Sequence, residues 1–279
     1  REELDTLIGG RTIEMAFEIA DDAVEPLFTL KVELTSSLRG TVAGQVKEIF
    51  NDEAPYFWMF DKEGRFNFAF SYSKTRPDCL VFPTEDYSSC IVYVPASHAG
   101  RLTEFALSNA MMLMYTFRTS PYDTLMTHSS VIMHNGGGYM FLGRSGTGKS
   151  THSSLWLKHI EGSELLNDDN PVIVVDGKGA TVYGSPWSGK TPCYKNDSAR
   201  IGAFVRIKQK PENRIMREQP LQAFATLLPS MSTMKWDKRV YDGVCNSVAR
   251  LVETVPLYTL GCRPDREAAE VCYAEVAKL

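Results

Sequence analysis

The sequence predicts an α/β protein, with an α+β, mixed-sheet main domain that follows a smaller antiparallel β-rich domain. Three observations lead to this fold class. An apolar run at 139–142, a glycine-rich stretch at 143–148 and an apolar-faced helical pattern at 150–160 form a strand, a loop and a helix in that order. A tight-turn signal at 134–138 comes directly before that strand, so the strand enters from a hairpin and its sheet is mixed. Alternating apolar residues between 28 and 94 predict the antiparallel strands of the first domain.

Composition bounds the domain count and the class of partner. A chain of 279 residues with 43% hydrophobic content fits one large or two modest domains. A helical pattern over 100–118 ends before Pro121, and we place the domain boundary at 119–126, which divides the chain into 1–122 and 123–279. A net charge of −4 argues against a nucleic-acid-binding module, which usually carries a basic patch. The sequence contains no run of 18 apolar residues, so it predicts no membrane-spanning helix. The oligomeric state stays open, since a monomer and a homo-oligomer both fit these numbers.

Cysteine usage bears on the compartment. The six cysteines are scattered and form no C-x-x-C pair, which argues against a zinc site and a disulfide framework. We therefore expect buried free thiols in a protein of the reducing cytoplasm.

The first domain reads as a meander followed by one helix. A charged turn at 61–64 joins two strands, and Phe66, Phe68 and Phe70 alternate on the return strand, where they are more typical of a core than of a ligand site. The predicted strands are 28–34, 56–60, 66–70, 80–82 and 90–94. Apolar residues at helical spacing then predict a helix over 100–118.

The second domain alternates strands and helices. The predicted strands are 127–133, 139–142, 164–166, 172–175, 180–183, 202–208 and 256–260. The predicted helices are 150–160, 221–228, 236–253 and 265–278. A strand, helix and strand in one sheet return parallel, so strand 164–166 should end at the same sheet edge as strand 139–142.

The glycine-rich stretch fits the Walker A, or P-loop, pattern G-x-x-x-x-G-K-[ST]. Glycines let successive backbone N–H groups point at a phosphate, and the helix that follows favours the same anion. Lys149 would reach the β- and γ-phosphates, and the Ser150 hydroxyl would bind Mg²⁺. The predicted nucleotide-binding residues are Gly143, Arg144, Ser145, Gly146, Thr147, Gly148, Lys149, Ser150 and Thr151.

An acid pair, Asp168 and Asp169, follows strand 164–166 and is therefore delivered beside the bound phosphates. One carboxylate could hold Mg²⁺, and the other could accept the proton of an attacking hydroxyl. A solvated acidic loop or a helix cap is the alternative.

Two further candidates have weaker signals. His128 stands at the start of the strand before the P-loop hairpin, where it is either an active-site residue or an ordinary surface or core histidine. The long segment 184–199 carries Lys190 and Lys195, which could stabilise charge on a transferred phosphoryl group. A plain surface loop is the alternative.

These features together resemble the catalytic domain of HPr kinase/phosphorylase and the wider group that it forms with phosphoenolpyruvate carboxykinase. The likeness covers about 125–207: His-Ser-Ser at 128–130, a hairpin, the P-loop and the Asp pair. In that group an Asp pair replaces a single Walker B Asp. By position, Lys149 and Ser150 match the phosphate and metal contacts. Asp168 or Asp169 matches the proton-accepting acid, and its neighbour matches the metal site. His128 matches the active-site histidine.

The resemblance implies an HPr kinase-like enzyme that uses ATP and Mg²⁺. It would transfer the γ-phosphoryl group to a hydroxyl, foremost a serine of a protein or peptide, because the first half is similar to HPr-kinase-like proteins that modify peptides. Where the bifunctional enzyme carries a Glu-x-Arg-Gly-type signature, this chain reads Val-Tyr-Gly-Ser-Pro-Trp at 182–187. Two alternatives stay open: a phosphoenolpyruvate carboxykinase-like lyase, and a non-catalytic nucleotide-binding regulatory protein.

Overall fold

The computed structural model of the protein describes residues 25–38, 44–50, 54–98, 100–189, 193 and 195–277. The chain divides into two compact units, and among the described residues the division falls between Arg118 and Thr119. Each unit has its own sheet. The fold is therefore a mixed α/β one, with two sheets that each contain parallel and antiparallel pairs.

The first unit is a six-stranded sheet in the order β1-β6-β5-β4-β3-β2. Its strands are β1 (Thr29–Thr35), β2 (Gln45–Phe50), β3 (Tyr56–Lys62), β4 (Arg65–Ser71), β5 (Cys79–Pro83) and β6 (Ser89–Pro95). The predicted antiparallel meander is confirmed from β3 to β6. β2, which the sequence did not predict as a strand, extends it by pairing antiparallel with β3. The prediction of a wholly antiparallel sheet is wrong for β1, which pairs with β6 in parallel. Alternation within a strand does not reveal the direction of its partner, because both pairings give the same period.

Helix α1 (Arg101–Thr119) supplies the second layer of this unit. Phe68 and Phe70 pack against Phe117 and Phe105 of the helix, with ring centroids 5.9 and 6.2 Å apart. The predicted aromatic stripe is therefore core.

The second unit is a nine-stranded mixed sheet in the order β10-β8-β9-β13-β12-β11-β7, with β15 and then β14 added beside the second half of β13. Its strands are β7 (Thr124–Met126), β8 (Ser129–His134), β9 (Gly137–Leu142), β10 (Glu164–Asp169), β11 (Val172–Asp176), β12 (Gly179–Tyr183), β13 (Ser198–Gln209), β14 (Arg214–Arg217) and β15 (Leu257–Cys262). Both predicted hairpins, β8–β9 and β11–β12, are confirmed. The β8–β9 turn is Asn135-Gly136, and both residues have positive φ, as a two-residue hairpin turn requires.

Helices cover both faces of this sheet. One face packs against α3 (Pro220–Leu227) and α4 (Lys238–Thr254), and the other against α2 (Lys149–His159) and α5 (Arg266–Val276). Asp237 and Asp265 cap α4 and α5 by accepting hydrogen bonds from backbone N–H groups of the first turn. All four helices lie where the apolar spacing predicts them; residue 278, the predicted end of the last one, lies outside the described residues.

The cysteines are free thiols, as predicted, and all except Cys245 are buried. Burial raises the pKa of Cys79 and of Cys90 to about 12, so these thiols are unreactive at neutral pH. Among the described residues, no helix combines the length and the apolar character that a membrane span needs.

Trp156 of α2 is the centre of the core that carries the glycine-rich loop. It is fully buried, and its ring lies 5.2 Å from that of Tyr139 and 5.7 Å from that of Tyr273. Trp156→Ala should therefore lower the free energy of unfolding by about 3–5 kcal/mol, measured by urea denaturation. Leu157→Ala, an exposed position on the same helix, should cost less than about 1 kcal/mol. Equal losses for the two variants would contradict this packing.

Candidate functional site

Three strand ends meet at one edge of the second sheet. β10 is antiparallel to β8, and β8 is antiparallel to β9, so β9 and β10 run in the same direction with β8 between them. In this register Asp169 lies opposite Ser129, and Ser129 lies opposite Leu142. The row therefore brings the end of β10, the start of β8 and the entry to the glycine-rich loop side by side. The predicted convergence of the acid pair and the loop is confirmed.

The glycine-rich loop has the backbone of a tight cradle. Gly143 and Gly148 have φ of 154° and 104°, in the region that favours glycine. A Cβ on Gly143 would collide with Thr147 Oγ1, so this position also lacks room for a side chain. Thr147 closes the loop, since its N–H and its hydroxyl both donate to the Arg144 carbonyl, at 3.2 and 2.7 Å.

Helix α2 starts directly after this loop. Its N-cap is Gly148, and no side chain among the described residues caps it. Uncapped N–H groups at a helix start are ready donors for an anion, and the helix dipole adds to the attraction. Ser150 and Thr151 lie exposed in the first turn.

Lys149 is buried beside the loop, with only 9% of its surface exposed. Its Nζ donates to the Gly143 carbonyl at 2.9 Å and lies 2.9 Å from His128 Nε2. Burial lowers the pKa of Lys149, and the charges of Asp169 and Asp168 partly offset that effect by raising it. The ammonium group is thus held between the loop and the acid pair.

His128 links Lys149 to Asp169. Its Nδ1 lies 2.9 Å from Asp169 Oδ1, on the other side of the ring from Lys149. Because an ammonium group can only donate, Nε2 accepts from Lys149 and Nδ1–H donates to Asp169. The His128 backbone N–H donates to the Ser230 carbonyl at 2.9 Å, which fixes the residue at the start of β8.

Asp168 faces the opposite side of the sheet from Asp169. In the register it lies opposite Ser130, whose hydroxyl is 2.6 Å from that of Ser153 on α2. Successive residues of a strand point to opposite faces, so Asp168 lies on the α2 side. Asp168 is buried, and its Oδ1 has no hydrogen-bond partner among the described residues. A buried carboxylate oxygen without a partner lowers the stability of the fold, and such oxygens are typical of functional sites.

Asn167 positions the acid pair, a role that the sequence alone did not predict. It is fully buried, and its Oδ1 accepts from the Asp169 backbone N–H at 3.0 Å. Its Nδ2 donates to Ser185 Oγ at 3.2 Å and to the Trp187 carbonyl at 3.3 Å. An asparagine inside an apolar strand that leads to two acids is the signal that could have indicated this.

The segment from 184 lies along the outer edge of β10. A Cβ on Gly189 would collide with the Asp168 carbonyl, so the chain runs very close to the acid pair there. Lys195, however, pairs with Glu164 at 2.9 Å. Glu164 begins β10 and the acids end it, so this ion pair places Lys195 at the opposite end of the strand from the acid pair. Lys190 lies outside the described residues.

The residues present fit a magnesium-bound nucleotide. The glycine cradle and the uncapped helix start suit phosphate oxygens, and Ser150, Asp168 and Asp169 offer the hard oxygen ligands that Mg²⁺ prefers. Among the described residues, no group of three or more His, Cys, Asp or Glu side chains is arranged to hold a metal ion. Mg²⁺ commonly takes one or two carboxylates together with substrate phosphates, so the donor set is of the expected kind.

His152, one turn into α2, introduces a pH dependence of stability. Burial lowers its pKa from 6.5 to about 4, and its Nε2 accepts from Trp156 Nε1 at 3.1 Å. Between these values the unfolded chain binds a proton that the folded chain does not, so stability is complete above about pH 6.5 and falls as the pH drops towards 4.

We expect about 2–3 kcal/mol less stability at pH 4.5 than at pH 7 from this group, measured by urea unfolding. His152→Gln should flatten that slope, and His159→Gln, a less buried position on the same helix, should retain it. An unchanged slope in His152→Gln would contradict this assignment.

Comparisons with known proteins add little to this geometry. No protein-family model matches the chain, and no curated protein matches it in sequence. The solved structure of the Hpr(Ser) kinase/phosphatase from Coxiella burnetii is similar over 55% of this chain and 94% of that chain, with 9% identity and a TM-score of 0.31. The similarity is a distant structural one, and nothing about the activity of this chain follows from it.

Proposed function

We propose that the second unit is an ATP- and Mg²⁺-dependent kinase that transfers the γ-phosphoryl group to a hydroxyl, foremost a serine of a protein or peptide. One observation carries this proposal. Asp168 is buried at the edge where the glycine-rich loop begins, and one of its oxygens has no partner among the described residues. Burial lowers the pKa of Lys149, and the charge of Asp168 partly offsets that effect.

The binding roles follow from the loop. Its backbone N–H groups and the start of α2 would hold the phosphates, and Lys149 would add a cationic donor to them. Magnesium-bound ATP supplies the γ-phosphoryl group and neutralises charge during its transfer. Ser150 and Asp169 are the residues that would hold the metal, since Asp169 is partly exposed, with 30% of its side chain accessible.

The acid–base role falls to Asp168. A base has to accept a proton from the acceptor hydroxyl, and Asp168 Oδ1 has no hydrogen-bond partner among the described residues. Asp169 Oδ1 and Oδ2 already contact His128 and Asn170, each within hydrogen-bond distance. His128 then acts as a positioning residue, because its ring contacts both Lys149 and Asp169 and fixes the two side chains relative to each other.

A transfer assay tests the proposal. The protein is incubated with Mg²⁺, γ-labelled ATP and serine-containing peptides and proteins, with serine-to-alanine peptides as controls. We expect label on serine and none on the alanine controls. Parallel incubation with oxaloacetate tests carboxykinase-like chemistry. Binding of ATP with no transfer of label to serine, to a small hydroxyl compound or to water would contradict the proposal and favour a regulatory role.

A further inference from the structure

A pocket lies on the other side of the glycine-rich loop from the acids. It encloses about 580 Å³ and is lined by residues of the loop, of α2 and of the segments that end β13 and follow β15. In the sheet, β8 and β10 lie on one side of β9, and β13 and β15 lie on the other. The loop that follows β9 therefore separates the acid pair from the pocket.

The walls of the pocket combine apolar surface with cationic and neutral donors. Leu155, Ile207, Pro211 and Pro264 provide the apolar part. Lys210, Arg263 and Gln209 provide donors, and of the described residues that line the pocket none is an aspartate or a glutamate. A pocket with an apolar wall, a few donors and no carboxylate suits a heterocycle attached to an anionic tail.

His152 contributes ring surface to this wall. It lines the pocket, it is 2% exposed, and its Nδ1 has no partner among the described residues. Because Nε2 already accepts from Trp156 Nε1, the ring hydrogen stands on Nδ1. Nδ1 is itself buried, so this unpaired donor lies behind the pocket wall and is not presented to a ligand.

The pocket and the loop are continuous. Gln209 Nε2 donates to the Gly146 carbonyl at 3.3 Å, which ties the end of β13 to the glycine-rich loop. Gly146 and Gly148 belong to both the loop and the pocket lining. A ligand that fills the pocket can therefore extend into the phosphate cradle without a gap.

We propose that this pocket takes the base and ribose of a nucleoside triphosphate, so that the phosphate tail crosses the loop towards Asp168 and Asp169. The inference rests on the proposed function and gives it a direction: the nucleoside lies on the β13–β15 flank, and the acceptor hydroxyl approaches from the β10 flank. The base packs against the apolar wall, and its edge accepts from Gln209.

The test compares ATP with inorganic tripolyphosphate, which has the tail and no nucleoside. Affinities for both are measured with Mg²⁺ by calorimetry on the full chain. Leu155→Trp fills the pocket, and Leu157→Trp is its control, exposed on the same helix and not part of the lining. Arg263→Ala removes a lining cation, and Arg266→Ala is its control, because each arginine also pairs with the glutamate four residues on.

We expect Leu155→Trp to weaken ATP binding at least about tenfold and to leave tripolyphosphate binding within about twofold. Arg263→Ala should weaken ATP binding about threefold or more, and both controls should match the wild type. Unchanged ATP affinity in both pocket variants would overturn the inference. An equal loss of affinity for ATP and for tripolyphosphate would also overturn it, provided that the variant melts at the wild-type temperature. A wild-type protein that binds neither ligand would overturn the proposed function itself, and this inference with it.

Discussion

Asp168→Asn should reduce turnover by about 10²–10⁴-fold and leave nucleotide affinity within about twofold. The amide cannot accept the proton of the acceptor hydroxyl, and it has nearly the same shape as the carboxylate. The measurements are steady-state transfer of γ-label and calorimetric binding of ATP with Mg²⁺.

The same substitution carries an unusual expectation for stability. Asp168 Oδ1 is buried without a partner among the described residues, and removing a buried charge removes its desolvation penalty. Asp168→Asn should therefore unfold at a urea concentration equal to or higher than that of the wild type. Asp242→Asn replaces an exposed acid on α4 and serves as the control. It should change neither the turnover nor the urea concentration at which the protein unfolds. Wild-type turnover in Asp168→Asn would remove Asp168 from the mechanism.

Lys149→Ala should weaken binding of ATP by about 10- to 150-fold, since a hydrogen bond to a charged group contributes about 1.5–3 kcal/mol. Turnover should fall as well, because charge on the transferred group loses its cationic donor. Titration calorimetry with Mg²⁺ present measures the first effect, and single-turnover transfer measures the second.

Lys158→Ala is the matched control for this variant, since Lys158 is exposed in the last turn of the same helix. It should bind ATP like the wild type. His128→Ala separates the contacts of Lys149 further: it removes the Nε2 acceptor and keeps the ammonium group, so its ATP affinity should lie between those of the wild type and Lys149→Ala. Full ATP affinity in Lys149→Ala would show that the nucleotide does not use this loop.

Local sequence signals predicted much of the second unit. The Asn135-Gly136 turn fixes the β8–β9 hairpin because a two-residue turn with positive φ at both positions strongly favours these residues. Once the hairpin and α2 are in place, the rule for strand–helix–strand crossovers delivers Asp168 and Asp169 to the loop. These steps depend on chemistry within a few residues of each other.

Long-range pairing could not be predicted in the same way. β10 extends through Asp169, although aspartate is unfavourable in strands, because pairing with Ser129 and Ser130 overrides local propensity. β14 was not predicted, because its four residues show no apolar alternation and it forms only beside β15.

The finer geometry of the site also depends on tertiary structure. The contacts of His128 with Lys149 and Asp169 join residues 21 and 41 positions away, and no local pattern specifies them. His152 could have been recognised by its spacing: it follows Lys149 by three residues and precedes Trp156 by four, which places it on the buried face of the same helix.

The most direct measurement is a crystal structure of the protein with Mg²⁺ and a slowly hydrolysed ATP analogue. We expect the triphosphate on the backbone N–H groups of 143–151, with Lys149 Nζ within hydrogen-bond distance of a phosphate oxygen and the terminal phosphate nearest to Asp168. A triphosphate bound anywhere else, or no bound nucleotide at saturating concentration, would contradict the proposed site.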